Sequence, residues 1–213
     1  MDFIKETKER VCELLYQQNA VKVNIENTFT LKGDIKSPLW FNLGVLETDF
    51  GTRSSIASAL HILLTCKHDF DAVAGVVSGG VSWASNIANS RALPLIRVHS
   101  EPKNHGLFNQ IEGEIPEDGA RVLVVDDAVT TGKNALKVIE ALRRGEDGRR
   151  AQVVALCTIF DWHFSAVDEK FYQAGVQKFS LVGFQEVLDY GYERNLLPEN
   201  AKPSINAFCE QYR

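Results

Sequence analysis

The sequence predicts an α/β fold in which helices flank a central parallel sheet of about five strands. From residue 72 onwards, short runs of apolar and β-branched residues alternate with stretches of helical spacing. The runs are apolar almost throughout, which is typical of strands buried on both faces of a sheet. The predicted strands cover residues 72–77, 93–98, 121–125, 151–160 and 177–182.

The apolar spacing also predicts the helices and a small N-terminal unit. Helices are expected over residues 2–18, 49–67, 81–90, 134–144, 165–174, 184–193 and 203–212. Residues 19–42 are rich in β-branched and aromatic side chains and predict short strands with a turn at Gly33-Asp34. We therefore divide the chain into an N-terminal unit over 1–45 and an α/β core over 46–213.

Composition and charge exclude several classes of protein. The formal net charge of -5 and the pI of about 5.6 argue against general binding to nucleic acid or to an anionic membrane. No apolar run approaches the roughly 20 residues that a membrane span needs. Cysteines with no CxxC spacing predict reduced thiols and a cytoplasmic protein. They are Cys12, Cys66, Cys157 and Cys209.

One long segment, residues 99–120, interrupts the alternation of strands and helices. It holds two prolines and three glycines and shows little helical periodicity. Loops of this length in a compact domain are usually functional, and we expect a mobile loop here. The alternative is a short hairpin over residues 109–115.

Residues 122–134 carry the clearest chemical signal: Val-Leu-Val-Val-Asp-Asp-Ala-Val-Thr-Thr-Gly-Lys-Asn. Unpaired N–H groups at a helix N-terminus bind phosphate well, and Gly132 allows a close approach of the backbone. Side-chain donors are expected from Thr130, Thr131 and Asn134. Asp126 and Asp127 beside such a turn fit a ligand that also presents hydroxyl groups or a metal ion. A sugar phosphate meets both requirements.

The alternative for the acidic pair is a helix-capping role without a ligand. The apolar strand directly before the pair favours the ligand site. Two other phosphate motifs are absent, since the sequence contains neither a GxxxxGK[ST] loop nor a GxGxxG fingerprint. The stretch Gly75-Val-Val-Ser-Gly-Gly80 follows a predicted strand and is by itself a weak glycine-rich loop.

Residues 122–134, with an apolar strand followed by two acids, two further residues, Thr, any residue and Gly, resemble the signature of type I phosphoribosyltransferases, which bind 5-phosphoribosyl 1-diphosphate (PRPP). Other segments resemble the orotate phosphoribosyltransferase family over nearly the whole chain. Residues 29–42 are similar to its N-terminal hood, and residues 102–113 to its mobile catalytic loop. The resemblance implies a type I phosphoribosyltransferase fold, Mg²⁺ held mainly by PRPP rather than by the protein, and a homodimer in which the loop acts across subunits.

The resemblance also implies site residues. The catalytic residues are expected to be Lys103, His105, Asp126 and Asp127. PRPP contacts are expected from these four and from Lys32, Ser78, Gly79, His99, Ala128, Val129, Thr130, Thr131, Gly132, Lys133 and Asn134. Base contacts are expected from Lys32, Trp40, Phe41, Thr130 and Trp162. Each of these residues also has an interpretation without a role in ligand binding. Lys103 and His105 could lie on a solvated loop, Lys32 could be a surface lysine, and Trp40 and Phe41 could pack in the core.

Several positions depart from the family pattern. His99 stands where an arginine is usual, and Ser100 or Glu101 stands at a second basic position. Trp162 replaces the arginine that would meet the carboxylate of orotate, and tryptophan cannot make that bidentate contact. Ser78-Gly79 replaces a Tyr-Lys pair that some members carry.

Three functions follow from this pattern. The first is transfer of phosphoribose from PRPP to orotate, giving orotidine 5′-phosphate and pyrophosphate in pyrimidine biosynthesis. The second is the same transfer to another base, which could stack on Trp162. The third is a PRPP-binding regulator that has lost turnover, which the changes at His99 and Ser100 favour.

Overall fold

The N-terminal unit begins with a helix and continues into two small sheets. The computed structural model describes residues 3–65, 69–102, 109–145 and 148–212. Helix α1 (Phe3–Gln17) buries Val11, Cys12, Leu14 and Leu15, as its spacing predicts. Strand β1 (Val21–Val23) pairs antiparallel with β4 (Leu39–Phe41), and β2 (Phe29–Thr30) pairs antiparallel with β3 (Lys36–Ser37). Gly33 and Asp34 form the turn between β2 and β3 with φ of 82° and 60°, which confirms the predicted turn.

A six-stranded sheet forms the centre of the molecule. Its strands are β5 (Ala72–Val76), β6 (Leu95–Val98), β7 (Ile111–Glu112), β8 (Arg121–Val129), β9 (Gln152–Asp161) and β10 (Gln177–Gly183). They lie in the order β10-β9-β8-β5-β6-β7. All neighbouring pairs are parallel except β6 and β7. Parallel neighbours bring the carboxyl ends of β5, β8, β9 and β10 to one edge, where ligands bind in folds of this type.

The sheet corrects the sequence prediction in two places. A sixth strand, β7, pairs antiparallel with β6 through Val98↔Ile111. The alternative of a short hairpin over residues 109–115 is therefore wrong in its pairing, because the partner of β7 is β6 and lies outside that segment. Strand β8 ends at Val129 instead of residue 125, because Asp126, Ala128 and Val129 continue the pairing with β9. Pairing uses backbone groups and tolerates polar side chains, so the acidic residues lie within the strand.

Helices and two 3-10 turns complete the described part of the chain. The remaining helices are α2 (Phe50–Leu64), α3 (Val81–Arg91), α4 (Lys133–Arg144), α5 (Ser165–Gln173), α6 (Phe184–Glu193) and α7 (Lys202–Tyr212), and the 3-10 turns are Leu43–Glu47 and Glu199–Ala201. Asp49 caps α2 by accepting a hydrogen bond from the Thr52 N–H (2.7 Å). All seven predicted helices are confirmed to within a few residues, except that the predicted end of α2 at residue 67 lies outside the described residues.

The structure can be compared with the expectations of reduced cysteines and of no membrane span. Cys12 and Cys157 are buried free thiols and Cys209 is partly buried, while Cys66 lies outside the described residues. Burial raises the pKa of the Cys157 thiol to about 12, so it remains a thiol at neutral pH. Within the described ranges, no helix has both the length and the apolar character that a bilayer span requires.

Candidate active site

The acidic pair lies at the carboxyl end of the central strand β8. Asp126 is 8% exposed and Asp127 is half-buried. The Asp127 N–H donates to Asp126 Oδ1 (2.9 Å), and the Ala128 N–H donates to Asp127 Oδ1 (2.7 Å). These bonds fix both carboxylates at the sheet edge where a ligand would bind.

Burial raises the pKa of Asp126 well above its usual value, and the neighbouring charge of Asp127 raises it further. The hydrogen bond from the Asp127 backbone and the charge of Lys32 act in the opposite direction. Asp126 therefore keeps its proton to a higher pH than an exposed aspartate does. The pair combines a buried carboxyl group with a raised pKa and a more accessible carboxyl group.

The turn after β8 leads into helix α4, at the position where the sequence predicts a phosphate site. Gly132 has a φ of 69°, a left-handed conformation that favours glycine. The Leu136 N–H donates to the Gly132 carbonyl (2.9 Å), so the first N–H groups of α4 point towards the turn. Residues 128–135 line a small cleft together with Lys32 and Asp126. This cleft contains the predicted residues Ala128, Val129, Thr130, Thr131, Gly132, Lys133 and Asn134.

The β2–β3 turn reaches the same cleft from the N-terminal unit. A Cβ atom placed on Gly33 would come within 2.9 Å of Thr131 Cγ2. Lys32 is exposed and close enough to lower the pKa of Asp126. The structure therefore brings Lys32 into the same cleft as Asp126, and its contact with a ligand stays a prediction.

The glycine-rich loop after β5 packs directly against the acidic pair. A Cβ atom on Gly79 would lie 2.5 Å from Asp127 Oδ2, and one on Gly80 would lie 2.1 Å from the Val125 carbonyl oxygen. Any larger side chain at either position would push the loop away from β8. Ser78, the next predicted site residue, follows a cis peptide bond after Val77. Gly80 is not among the residues predicted to contact PRPP, although the Gly79-Gly80 pair directly after a strand was a signal for it.

At the expected base end, the two tryptophans differ in exposure. Trp40 is 40% exposed and lies beside Phe29, with ring centroids 6.3 Å apart. Trp162 is 5% exposed; its ring packs against those of Phe41, Phe160, Phe164, Phe184 and Phe208. The interpretation of Trp162 as a stacking face for a base needs correction, because the aromatic cluster covers that ring.

Phe41 belongs to the same cluster, where it stacks on Phe160 with centroids 4.0 Å apart. It is 9% exposed, so its side chain packs in the core. Of the two aromatic residues predicted to contact the base from the hood, Trp40 is exposed and Phe41 is buried.

The basic positions of the long segment are partly described. His99 Nε2 lies 2.8 Å from Glu112 Oε1 on β7, and Arg97 donates to the other oxygen of Glu112 (2.7 Å). Glu101 forms an ion pair with Lys137. Lys103 and His105, the predicted catalytic cations, lie outside the described residues, so their roles stay predictions.

The fold and this edge define a class: an α/β protein whose central strand carries two acids at its carboxyl end and leads through a glycine turn into a helix N-terminus, which lines a cleft together with Asp126. Sequence comparison agrees, since the phosphoribosyl transferase domain family matches residues 55–190. The orotate phosphoribosyltransferase of Bacteroides thetaiotaomicron is 30% identical over 204 residues, which cover 95% of this chain and 94% of that protein. The chain therefore belongs to the phosphoribosyltransferase family. Its relatives in that family include orotate phosphoribosyltransferases.

Solved structures agree with the fold. The orotate phosphoribosyltransferase of Aeropyrum pernix superposes with a TM-score of 0.72 at 29% identity, over 84% of this chain and 96% of that one. The UMP synthase of Leishmania donovani superposes with a TM-score of 0.81 at 26% identity, over 96% of this chain. This chain spans 42% of the length of that UMP synthase chain.

Proposed function

We propose that this protein transfers phosphoribose from PRPP to orotate, giving orotidine 5′-phosphate and pyrophosphate in pyrimidine biosynthesis. The observation that carries the proposal is the β8 strand end, where Asp126 and Asp127 lead directly into the Gly132 turn and helix α4. Orotate phosphoribosyltransferases that match 95% of the chain support the choice of orotate.

The β8 edge suggests how the reaction would proceed. The 5′-phosphate would bind the turn from Thr130 to Asn134, with backbone N–H groups as donors. Asp126 and Asp127 would hold the ribose hydroxyl groups. As the C1–pyrophosphate bond loosens, the ribose gains positive charge, and the Asp127 carboxylate would stabilise that charge.

The diphosphate would lie towards the glycine-rich loop at Ser78 and Gly79, which packs against Asp127. The donor set there suits Mg²⁺, because carboxylate and phosphate oxygens are its preferred ligands. We expect PRPP to hold the ion mainly, with Asp126 and Asp127 as the nearest protein carboxylates. Bound Mg²⁺ would offset the charge of the diphosphate.

The expected residues of the long segment and the hood complete this proposal. Lys103 and His105, with a smaller part for His99, would neutralise the departing pyrophosphate. We place them on a loop, about residues 99–120, that acts across the subunits of a homodimer. Lys32 and Trp40 would reach the base from a hood within residues 1–45, while residues 46–213 form the core. A cytoplasmic location fits the buried free thiols of Cys12 and Cys157.

A second candidate, transfer to a base other than orotate, rests on one observation. Trp162 occupies the position of an expected arginine and is buried among aromatic rings. That position supplies no cation for a base carboxylate. A base without a carboxylate would lose nothing there.

One assay separates these functions. The loss of orotate absorbance is followed with PRPP and Mg²⁺, in parallel with a panel of other pyrimidine and purine bases, and Asp127→Asn serves as the control variant. Turnover of orotate that Asp127→Asn abolishes is the expected result. Turnover of another base alone supports the second candidate, and PRPP binding without any turnover indicates a regulator. If Asp127→Asn keeps full activity, the role given to the acidic pair is wrong.

A further inference from the structure

The side chain of Lys178 forms a buried ionic bridge at the edge of the candidate site. Only 11% of it is exposed. Lys178 Nζ donates to Asp161 Oδ2 (2.6 Å) and also to Asp168 Oδ1. Asp161 is the last residue of β9, and its side chain is 2% exposed. Asp168 lies in the first turn of α5. One ammonium group therefore joins a strand end to a helix; we call these three residues the Lys178 bridge.

Helix α5, which the bridge holds, packs directly against the phosphate turn. A Cβ atom on Gly132 would lie 2.6 Å from Phe171 Cε2 and 3.1 Å from Val167 Cγ1. Val167 and Phe171 are buried residues of α5. Lys178 Nζ also lies 5.2 Å from the centroid of the Phe171 ring. The lysine thus contacts the ring that forms the wall behind Gly132.

The other end of the bridge meets the strand that leads into the same turn. Asp161 pairs with Val129 in the register of β8 and β9. The Trp162 N–H donates to the Val129 carbonyl (3.1 Å). Val129 directly precedes residues 130–132. Lys178 is therefore connected both to α5 and, through Asp161, to the end of β8.

A metal ion is the competing interpretation of this cluster. Donor atoms of Asp161, His163 and Asp168 lie within 4.8 Å of one another. However, the Lys178 ammonium group already donates to both carboxylates. It supplies the positive charge that a metal ion would bring, so the cluster is complete without one.

We infer that Lys178 is a positioning residue for the phosphate turn, which it holds through Asp161 and α5 in the shape that binds the 5′-phosphate of a ribose phosphate. The inference rests on the proposed binding of PRPP. Lys178 acts through other residues and touches no substrate. Its loss should therefore weaken phosphate binding while the chemical groups of Asp126 and Asp127 stay in place.

The test compares two variants of the bridge with wild type. Lys178→Met removes the cation, and Asp168→Asn removes the tie to α5 at a carboxylate that is 44% exposed, where folding is at little risk. Kd for PRPP and for inorganic phosphate is measured by calorimetry, and KM and kcat by the orotate assay. We expect Kd and KM for PRPP to rise about tenfold, equivalent to about 1.4 kcal/mol, with kcat nearly unchanged and Lys178→Arg restoring most of the affinity.

Arg121→Met is the matched control. It removes the ion pair in which Arg121 Nη2 lies 2.8 Å from Asp71 Oδ1, at the end of β8 opposite to the turn. The protein therefore loses an ion pair beside the same sheet, and the phosphate turn is left unchanged. Its PRPP affinity should equal that of wild type. A similar loss in Arg121→Met and Asp168→Asn would overturn the inference, because both would then reflect general loosening of the fold.

Two further outcomes are decisive. If Lys178→Met does not fold because Asp161 loses its counter-ion, the double variant Lys178→Met with Asp161→Asn removes both charges, and Asp168→Asn still reports on α5. Unchanged PRPP and phosphate affinity in these variants sinks the inference. If wild type itself does not bind PRPP, the proposed function fails, and the affinity for inorganic phosphate alone decides the role of Lys178.

Discussion

The charge of Asp126 depends strongly on its surroundings. Burial and the neighbouring Asp127 raise its pKa in the folded protein, while an unfolded chain would give an aspartate its usual pKa near about 3.9. Between those two values the folded state keeps the proton that the unfolded state has lost. By linkage, the contribution of Asp126 to the stability of the folded state is fully present below the pKa of the unfolded chain. It is lost as the pH rises through the pKa of the folded state.

Asp126→Asn should therefore stabilise the protein at pH 8 and have little effect at pH 4. The amide has nearly the same shape and can still accept the hydrogen bond from the Asp127 N–H. The gain is at most about 1.4 kcal/mol for each pH unit of the window. Urea unfolding of both proteins across this pH range measures it, with Asp69→Asn, 93% exposed, as control. An equal gain at both pH values would contradict the burial argument.

Substitution by arginine should affect stability very differently at Trp162 and at Trp40. Trp162→Arg would bury an unpaired guanidinium group among aromatic rings, which costs about 3–5 kcal/mol. Trp40→Arg lies on a 40% exposed position and should change stability by less than about 0.5 kcal/mol. Thermal unfolding midpoints separate the two. A stable Trp162→Arg protein with stronger orotate binding would show instead that position 162 faces the base.

Among the elements, the turn between β8 and α4 is tightly constrained, because two effects combine at Gly132. Its φ is positive, and α5 lies against the place where a Cβ atom would be. Gly119 offers the matched comparison, since its φ is +85° and nothing lies within 4 Å of an added Cβ atom. The pair separates backbone strain from crowding.

Gly132→Ala should cost about 1–3 kcal/mol more stability than Gly119→Ala, because overpacking adds to the backbone strain. PRPP affinity should decrease in Gly132→Ala alone. Chemical denaturation and PRPP titration of both variants test this. Equal stability losses would mean that α5 moves aside without cost.

How far the sequence predicts these elements depends on how local their causes are. Strands β5 and β8 are apolar runs, and the Gly132 turn has a local signature, so both were predicted. The last four residues of β8 were assigned to a loop because they include Asp126 and Asp127. Their strand conformation depends on pairing with β9, which no local pattern reports.

The base end was predicted less well for the same reason. Trp162 is buried by Phe41, Phe184 and Phe208, which come from distant parts of the chain. Likewise, Lys178 meets Asp161 and Asp168 across 17 and 10 residues. Without a structure, nothing in the sequence distinguishes Lys178 from a surface lysine.

At the scale of the whole molecule, the proposed homodimer gives a complementation test. Lys103→Ala and Asp127→Asn would each be inactive alone. If the loop acts across subunits, a mixed dimer carries one site with both defects and one intact site. Random mixing after mild dissociation should then restore about a quarter of wild-type activity, because about half of the dimers are mixed. No recovery in a verified mixed dimer would place Lys103 in its own subunit's site.

The short strand β7 has a consequence for how copies of this protein behave at high concentration. It is two residues long, and its Glu112 forms an ion pair with Arg97 and lies 2.8 Å from His99 Nε2. Long, flat, uncharged edge strands are templates for pairing with other chains. This side of the sheet ends instead in a brief antiparallel strand beside three charged or titratable side chains, which protects it from edge-to-edge aggregation.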